Sequence, residues 1–219
     1  QAIILGFSNS GKSSLLSLLT NTHPEIASYR FTTKEPIIGM LNHNGVQIQI
    51  IENPAIESEY YDKGITHGTD TIIILINSLE ELAEIEKKIQ TTGKKIIVIN
   101  LKEDIEKRKL EATLKSKKLN FVIINTQEEE GIWELKEKIF KSFDKIRIFT
   151  KEPGKPKSDK PIILNPSSNV KDVAEKIFHG FSKQIKETFI TGPSSKFHNQ
   201  KVGLTHELKD LDVVEFRTR

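Results

Sequence analysis

Four residues near the start of the chain have the types and the spacing of a phosphate-binding loop. The stretch AIILGFSNSGKSSLL places Gly6, Gly11, Lys12 and Ser13 in the order GxxxxGKS, after an apolar run and before a helical pattern. Glycine lets the backbone curl with its N–H groups pointing inward, and a helix N-terminus adds partial positive charge. The pattern predicts that Lys12 neutralises the β- and γ-phosphates of a nucleotide and that the Ser13 hydroxyl ligates Mg²⁺.

Two later residues have the chemistry to hold the metal ion as well. Thr33, in the stretch YRFTTKEP, is expected to reach Mg²⁺ and the γ-phosphate from a loop, with Thr32 as the alternative. Glu52 follows the apolar run VQIQII, at a position where Asp is more usual. Its side chain is one methylene longer, and a contact to Mg²⁺ through water tolerates that difference. We therefore predict Ser13, Thr33 and Glu52 as metal ligands, and Lys12 and Thr33 as catalytic residues.

The residues after Glu52 predict slow hydrolysis. Ala55 stands where phosphate-binding proteins usually have Gly, and Ile56 follows it. Ala55 still offers its backbone N–H to the γ-phosphate, but it adopts positive φ less freely than Gly, so a switching motion is expected to be stiffer. Ile56 has no polar group with which to orient an attacking water.

A stretch after a later strand has residues suited to reading a guanine base. IVINLKEDI contains Asn100, followed by two possible arrangements. Read without a gap against the usual Asn-Lys-x-Asp pattern, Leu101 replaces the Lys that lies on the base and Glu103 replaces the Asp that pairs with it. Read with one extra residue, Lys102 and Asp104 take those roles. The sequence leaves both registers open.

Two groups of polar residues complete the predicted nucleotide site. Asn9, Ser10 and Ser14 lie in or next to the phosphate loop, where backbone N–H groups and hydroxyls would face phosphate oxygens. Asn125 and Thr126 follow the strand after Asn100, where a turn is expected to close over the base.

Alternating apolar and helical patterns place these residues in an α/β fold. A helix is expected from Lys12 to about Asn21, and later apolar residues three and four apart predict further helices. Strands that alternate with helices form a mostly parallel sheet, with ligands at the carboxyl ends of the strands. The predicted strands are residues 2–5, 46–51, 71–76, 94–100 and 120–125, and the later helices are residues 80–90, 103–118 and 131–143, the last with Trp133 in the core.

The pattern changes after Asp144. KIRIFT and VVEF are strand candidates, and a Pro- and Lys-rich loop follows the first. Asn169 has the side chain to cap an amphipathic helix between them. Short strands around one main helix predict a small α+β module, so we predict two domains, residues 1–144 and residues 145–219.

Charge differs between these two parts, and the composition excludes several classes of protein. Residues 145–219 contain 15 Lys and Arg against 9 Asp and Glu, a net charge of +6, whereas residues 1–144 contain 18 against 21. A basic module favours RNA or another acidic partner. The chain has no Cys, which excludes disulfides and thiolate metal sites, and its longest apolar run, IIILI, is too short to cross a bilayer. With no stretch that resembles an export signal, we expect a cytoplasmic protein with no membrane partner.

Five short stretches resemble the Obg-like translation-factor GTPases: GFSNSGKSS, FTT, IIENPAI, VINLKED and VIINT. The tail, from IRIFTKEPGKPKSDKPIIL to KDLDVVEF, is similar to the C-terminal TGS domain of the developmentally regulated GTP-binding proteins. The resemblance implies a P-loop NTPase G domain followed by a β-grasp, ubiquitin-like TGS domain. It implies GTP or GDP with Mg²⁺ as ligands, and a ribosome, RNA or protein partner for the TGS domain. It also matches Asn9 to a loop residue that resembles a potassium ligand in K⁺-stimulated GTPases.

Three functions are compatible with the sequence. The first is a Mg²⁺-dependent, slow GTPase of the developmentally regulated type, linked to translation. The second is a ribosome- or RNA-associated TGS scaffold with a vestigial nucleotide site, and the third is an NTPase with relaxed base choice. Glu52 and Asn100 are only 48 positions apart. That spacing leaves no room for the inserted domain of larger relatives, so the chain resembles a reduced member of the family.

Overall fold

The computed structural model describes residues 1–20, 35–89, 91–101 and 107–218. The chain divides into two compact units. The first comprises Gln1–His43 and Gln47–Phe143, and the second comprises Asn44–Val46 and Asp144–Arg219.

A six-stranded sheet forms the centre of the first unit. Its strands are β1 (Ala2–Leu5), β2 (Ile37–His43), β3 (Val46–Glu52), β4 (Thr71–Ile76), β5 (Lys94–Asn100) and β6 (Phe121–Ile124). The order across the sheet is β2-β3-β1-β4-β5-β6, and the neighbours from β3 to β6 are parallel. Every residue of β1 and β4 is buried, as expected for central strands of a parallel sheet that is packed by helices.

Helices alternate with most strands of this sheet. Their bounds are α1 (Lys12–Leu19), α2 (Lys63–His67), α3 (Leu79–Lys88), α4 (Lys107–Ser116) and α5 (Ile132–Ser142). Apolar residues three and four apart give the longer helices one buried stripe. In α5 that stripe contains Ile132, Leu135 and Ile139, and in α3 it contains Leu82 and Ile85.

These elements confirm the predicted alternation, with differences at particular places. The first helix ends at Leu19, two residues before the predicted end, because Thr20 adopts extended backbone (φ −121°, ψ 127°). The predicted helix over residues 103–118 is described from Lys107 to Ser116. Neither β2 nor α2 was predicted. Gly and His interrupt the apolar alternation of IIGMLNH in β2, and the five residues of α2 are too few to show a helical period.

The prediction that Trp133 lies in the core is wrong. Trp133 is 70% exposed in the first turn of α5, whereas Ile132 beside it is buried. The Trp133 ring meets the His43 imidazole edge to face, with centroids 6.5 Å apart, and His43 pairs with Glu137 at 2.7 Å. Position 133 therefore lies beside the buried stripe, next to a polar pair.

The second unit is a five-stranded mixed sheet packed against one helix. Its elements are β7 (Ile146–Lys151), β8 (Ile162–Leu164), α6 (Val170–Ile177), β9 (Ile185–Thr191), β10 (Gln200–Val202) and β11 (Val213–Thr218). The order is β10-β9-β11-β7-β8, with β7 and β11 parallel and the other neighbours antiparallel. Asn169 caps α6 as predicted, in a reciprocal pair with Asp172.

The predicted fold class is confirmed by the first unit, with its mostly parallel sheet, and by the α+β second unit. Among the described residues, no helix combines the length and the apolar character that crossing a membrane requires.

Candidate nucleotide site

The loop between β1 and α1 curls tightly, as the glycine spacing requires. Asn9 (φ 60°) and Gly11 (φ 97°) both have left-handed backbone, which Gly adopts freely and Asn tolerates. A Cβ at Gly6 would lie 2.6 Å from the carbonyl oxygen of Leu75, and one at Gly11 would lie 2.9 Å from Asn100 Nδ2. A larger residue at either position would therefore clash with these neighbours, and at position 11 it would also be strained by the positive φ.

Lys12 lies over this loop from the first position of α1. Its side chain is buried, and Nζ donates to the carbonyl oxygen of Phe7 at 2.8 Å. Burial lowers the pKa of Lys12, while the nearby carboxylates of Glu52 and Glu57 act in the opposite direction. A phosphate group would add the negative charge that favours protonated Lys12.

Ser13 and Glu52 meet directly, although they are 39 positions apart in sequence. The Ser13 hydroxyl donates to Glu52 Oε1 at 2.6 Å, and Glu52 is only 1% exposed. Its second oxygen, Oε2, has no hydrogen-bond partner in the described part of the chain. Burial raises the pKa of Glu52, and the Ser13 hydrogen bond and the charge of Lys12 oppose that rise.

These two residues fit a hard divalent cation. Mg²⁺ prefers oxygen ligands, keeps several waters, and is commonly held by one carboxylate together with a hydroxyl and phosphate oxygens. Ser13 Oγ and the free Glu52 Oε2 supply such oxygens at one place. Burial disfavours the ionised form of Glu52, and the positive charge of a bound cation would stabilise that form. When bound, the ion would neutralise charge on the phosphates.

The segment after Glu52 is anchored on the strand and loop beside it. Asn53 N–H donates to the Ile4 carbonyl at 3.2 Å, and Ile56 N–H donates to the Gly6 carbonyl at 3.2 Å. Ala55 and Ile56 are both buried, and Ile56 belongs to the apolar core of the first unit. The Ile56 side chain is thus directed into the core.

Asn100 connects two loops at the end of β5. Its Oδ1 accepts hydrogen bonds from the N–H and the hydroxyl of Thr126, both at 3.3 Å. Its Nδ2 faces Gly11 of the phosphate loop. Asn125 stabilises its own turn, where its Oδ1 accepts from Gln127 N–H at 2.9 Å. The structure therefore brings Asn100 and Thr126 together beside the phosphate loop, while Asn125 shapes the turn.

The remaining predicted residues are either described with no contact that assigns them a role or lie outside the described residues. Ser14 is exposed in the first turn of α1, and Ser10 is buried with no partner for its hydroxyl among the described residues. Leu101 packs against the apolar core. Thr33, with its alternative Thr32, lies outside the described residues, as do Lys102, Glu103 and Asp104.

Two residues of the site were not predicted from the sequence. Glu57 Oε1 accepts a hydrogen bond from the Ser8 N–H of the phosphate loop at 2.8 Å. The Asn53 side chain donates to the Asp62 carbonyl at 2.8 Å and to the Thr66 hydroxyl at 3.2 Å, which ties the segment to α2. Neither Glu57 nor Asn53 belongs to a spacing motif that would have predicted it. Only the position of Asn53, directly after the strand-end acid Glu52, could have indicated a place in the site.

A strand, a glycine loop with Lys and Ser, and a carboxylate at the end of the neighbouring strand define a P-loop nucleotide-binding domain. The family model of the 50S ribosome-binding GTPases matches residues 1–126, and the TGS domain model matches residues 146–218. The chain belongs to the family of 50S ribosome-binding GTPases and carries a TGS domain.

Curated relatives share both parts. An uncharacterized GTP-binding protein of Methanocaldococcus jannaschii is 24% identical, over 97% of this chain and 76% of its own length. The human developmentally-regulated GTP-binding protein 2 is 23% identical, over 97% of this chain and 81% of its own. Developmentally-regulated G-protein 3 of Arabidopsis thaliana is 25% identical, over 97% and 80%. The chain is therefore of the developmentally regulated GTP-binding type, as the sequence resemblance indicated.

Solved structures share the fold. A tyrosine-to-alanine variant of Aquifex aeolicus Era, bound to GDP and AlF4⁻, superposes with a TM-score of 0.53 at 23% identity, over 64% of this chain and 56% of that chain. Era in complex with MgGDPNP and nucleotides of 16S ribosomal RNA superposes with a TM-score of 0.55 at 19% identity, over 87% and 70%.

Proposed function

We propose that this chain binds GTP and GDP with Mg²⁺ at the loop between β1 and α1 and hydrolyses GTP slowly. The observation that carries the proposal is the contact of Ser13 with Glu52, whose carboxylate also feels the charge of Lys12. Lys12 is suited to the β- and γ-phosphates, while Ser13 and Glu52 are suited to the cation, and Thr33 would complete the metal set.

We propose Asn100 and Thr126 as the protein side of the base site. Their hydrogen bonds hold the turn after β6 beside the end of β5, which is the edge of a parallel sheet where ligands bind. Asn125 would shape the turn that closes over the base. Either Lys102 with Asp104 or Glu103 alone would supply the remaining contacts to guanine, and the two registers remain alternatives.

Titration of fluorescent mant-GTP and mant-ATP, each with Mg²⁺ and with EDTA, tests this function. We expect GTP to bind at least about tenfold more tightly than ATP, and EDTA to weaken GTP binding, since Ser13 and Glu52 would lose their cation. Equal affinities for the two nucleotides would support the relaxed NTPase instead. Binding of neither would support the TGS scaffold with a vestigial site.

We also propose that the TGS domain attaches the protein to ribosomal RNA in the cytoplasm. The net charge of +6 on residues 145–219 supports this proposal, because phosphate contacts by Lys and Arg supply most sequence-independent affinity for nucleic acid. The family is described as ribosome-binding, and the similar Era structure contains 16S ribosomal RNA. A protein partner of the TGS domain is the alternative.

We expect the affinity of the chain for ribosomes to fall steeply with salt. Contacts to about three phosphates would lower it roughly 40-fold between about 50 and 200 mM salt, because each contact releases counterions. Cosedimentation of the full chain and of residues 145–219 with ribosomes measures this dependence. Failure to cosediment at the lower salt would contradict RNA attachment, and a salt-insensitive interaction would indicate a protein partner.

A further inference from the structure

The segment after Glu52 places a second carboxylate against the phosphate loop. Glu57 Oε1 accepts a hydrogen bond from the Ser8 N–H at 2.8 Å. Ser8 is the second residue after Gly6 and lies within the GxxxxGKS loop. An N–H of this loop, a group that the motif directs at phosphate, is thus paired with an anion that belongs to the chain itself.

The backbone around Glu57 fixes the carboxylate at this place. Ile56 N–H donates to the Gly6 carbonyl at 3.2 Å, and Ser58 N–H donates to the Ala55 carbonyl at 2.8 Å, which closes a turn. The Ile56 side chain is buried in the core. The next side chain, Glu57, is exposed and reaches back to the loop.

Electrostatics favour an ionised Glu57. Although partial burial raises its pKa, the hydrogen bond from Ser8 and the charge of Lys12 lower it, and the result is a pKa below the usual range for Glu. Glu57 in turn acts on Lys12 in the direction that favours its protonated form. At neutral pH Glu57 therefore places a negative charge on the Ser8 N–H and near Lys12, two groups that we expect to face the phosphates of a nucleotide.

We propose that Glu57 determines the choice between nucleoside diphosphate and triphosphate by competing with the terminal phosphate of GTP for the phosphate loop. This inference rests on the proposed function. Glu57 lies on the segment Ala55–Ser58, whose first N–H was expected to face the γ-phosphate. We expect the terminal phosphate to bring its negative charge to the side of the loop where Glu57 meets Ser8, and a diphosphate lacks that group. Wild-type chain therefore retains GDP in preference to GTP.

The variant Glu57→Gln tests the competition, because it keeps the shape and removes the charge. Mant-GDP and mant-GTP are titrated with Mg²⁺ against the full-length variant. We expect the affinity for GTP to rise about tenfold and that for GDP to rise no more than about twofold. The reason is that the Glu57 carboxylate repels the γ-phosphate, which GTP has and GDP lacks. Glu57→Ala, which also removes the acceptor for Ser8, should shift the ratio in the same direction.

Glu59→Gln is the matched control. Glu59 is exposed, lies two residues further on and makes no contact with the phosphate loop among the described residues. The Glu59→Gln variant should leave the ratio of GTP affinity to GDP affinity unchanged within about twofold. A change in this ratio as large as that in Glu57→Gln would overturn the role of Glu57. An unchanged ratio in Glu57→Gln, with both nucleotides still bound, overturns the inference alone. Binding of neither nucleotide to wild type and all variants overturns the proposed function and this inference with it.

Discussion

Lys12→Ala is expected to reduce the affinity for both GTP and GDP by more than about 100-fold. Lys12 Nζ is held over the loop by the Phe7 carbonyl, where it would contact both the β- and the γ-phosphate. A hydrogen bond to a charged group contributes about 1.5–3 kcal/mol, and losing about 2.8 kcal/mol corresponds to a 100-fold weaker complex. Fluorescence titration with mant-GTP and mant-GDP measures the loss.

The fold should survive this substitution. Burial already lowers the pKa of Lys12, so the folded state gains little from its charge, and Glu52 retains the Ser13 hydrogen bond. We expect the melting temperature, followed by circular dichroism, to change by less than about 4 °C. Lys141→Ala, at an exposed position near the end of α5, is the control and should bind both nucleotides normally. An unchanged GTP affinity in Lys12→Ala would refute the assignment of this loop as the phosphate-binding site.

Hydrolysis of GTP by the wild-type chain is expected at or below about 10⁻⁴ s⁻¹, the level of unassisted Ras. The Ile56 side chain is buried in the core and has no polar group for water. Ala55 is buried, and Glu52, three residues before it, has a longer side chain than the usual Asp. Because neither side chain can activate water, we expect the rate to depend on a supplied positive charge. Single-turnover cleavage of GTP, followed in Na⁺ buffer, measures the basal rate.

Two changes should raise this rate. Glu52→Asp combined with Ala55→Gly restores the usual pair, and we expect at least about a tenfold gain, since Gly recovers the freedom to adopt positive φ. Replacing Na⁺ by K⁺ should also increase cleavage if Asn9, which is exposed and has left-handed backbone, recruits the ion. Asn9→Ala should then abolish the K⁺ effect without changing the rate in Na⁺.

Three results would contradict these expectations. Cleavage by wild type in Na⁺ that is more than about 100-fold above the Ras level would mean that IIENPAI is a fully competent motif. A double variant no faster than wild type would mean that Glu52 and Ala55 do not limit the reaction. Equal rates in Na⁺ and K⁺ would remove the proposed role of Asn9.

The phosphate loop and the alternation of elements were readable from the sequence because each depends on local rules. Gly11 needs positive φ and Gly6 needs space beside Leu75, and few other residues satisfy either demand. Strand and helix periods are likewise local, so β1, β4 and α5 lie where the pattern predicted them. The α+β pattern of the tail was readable for the same reason.

Tertiary packing decided what periodicity does not encode. Ser13 meets Glu52 because β1 and β3 are neighbours with Ile4 opposite Glu52, and no local pattern sets that pairing. Trp133 is exposed because its position on α5 falls beside the buried stripe, although Trp is usually buried. Glu57 reaches Ser8 because Ile56 is buried and its N–H is held by Gly6. Sequence alone thus determined which groups are available for phosphate and metal chemistry, and the tertiary structure decided which of them meet, because contacts between distant residues depend on strand order and side-chain direction.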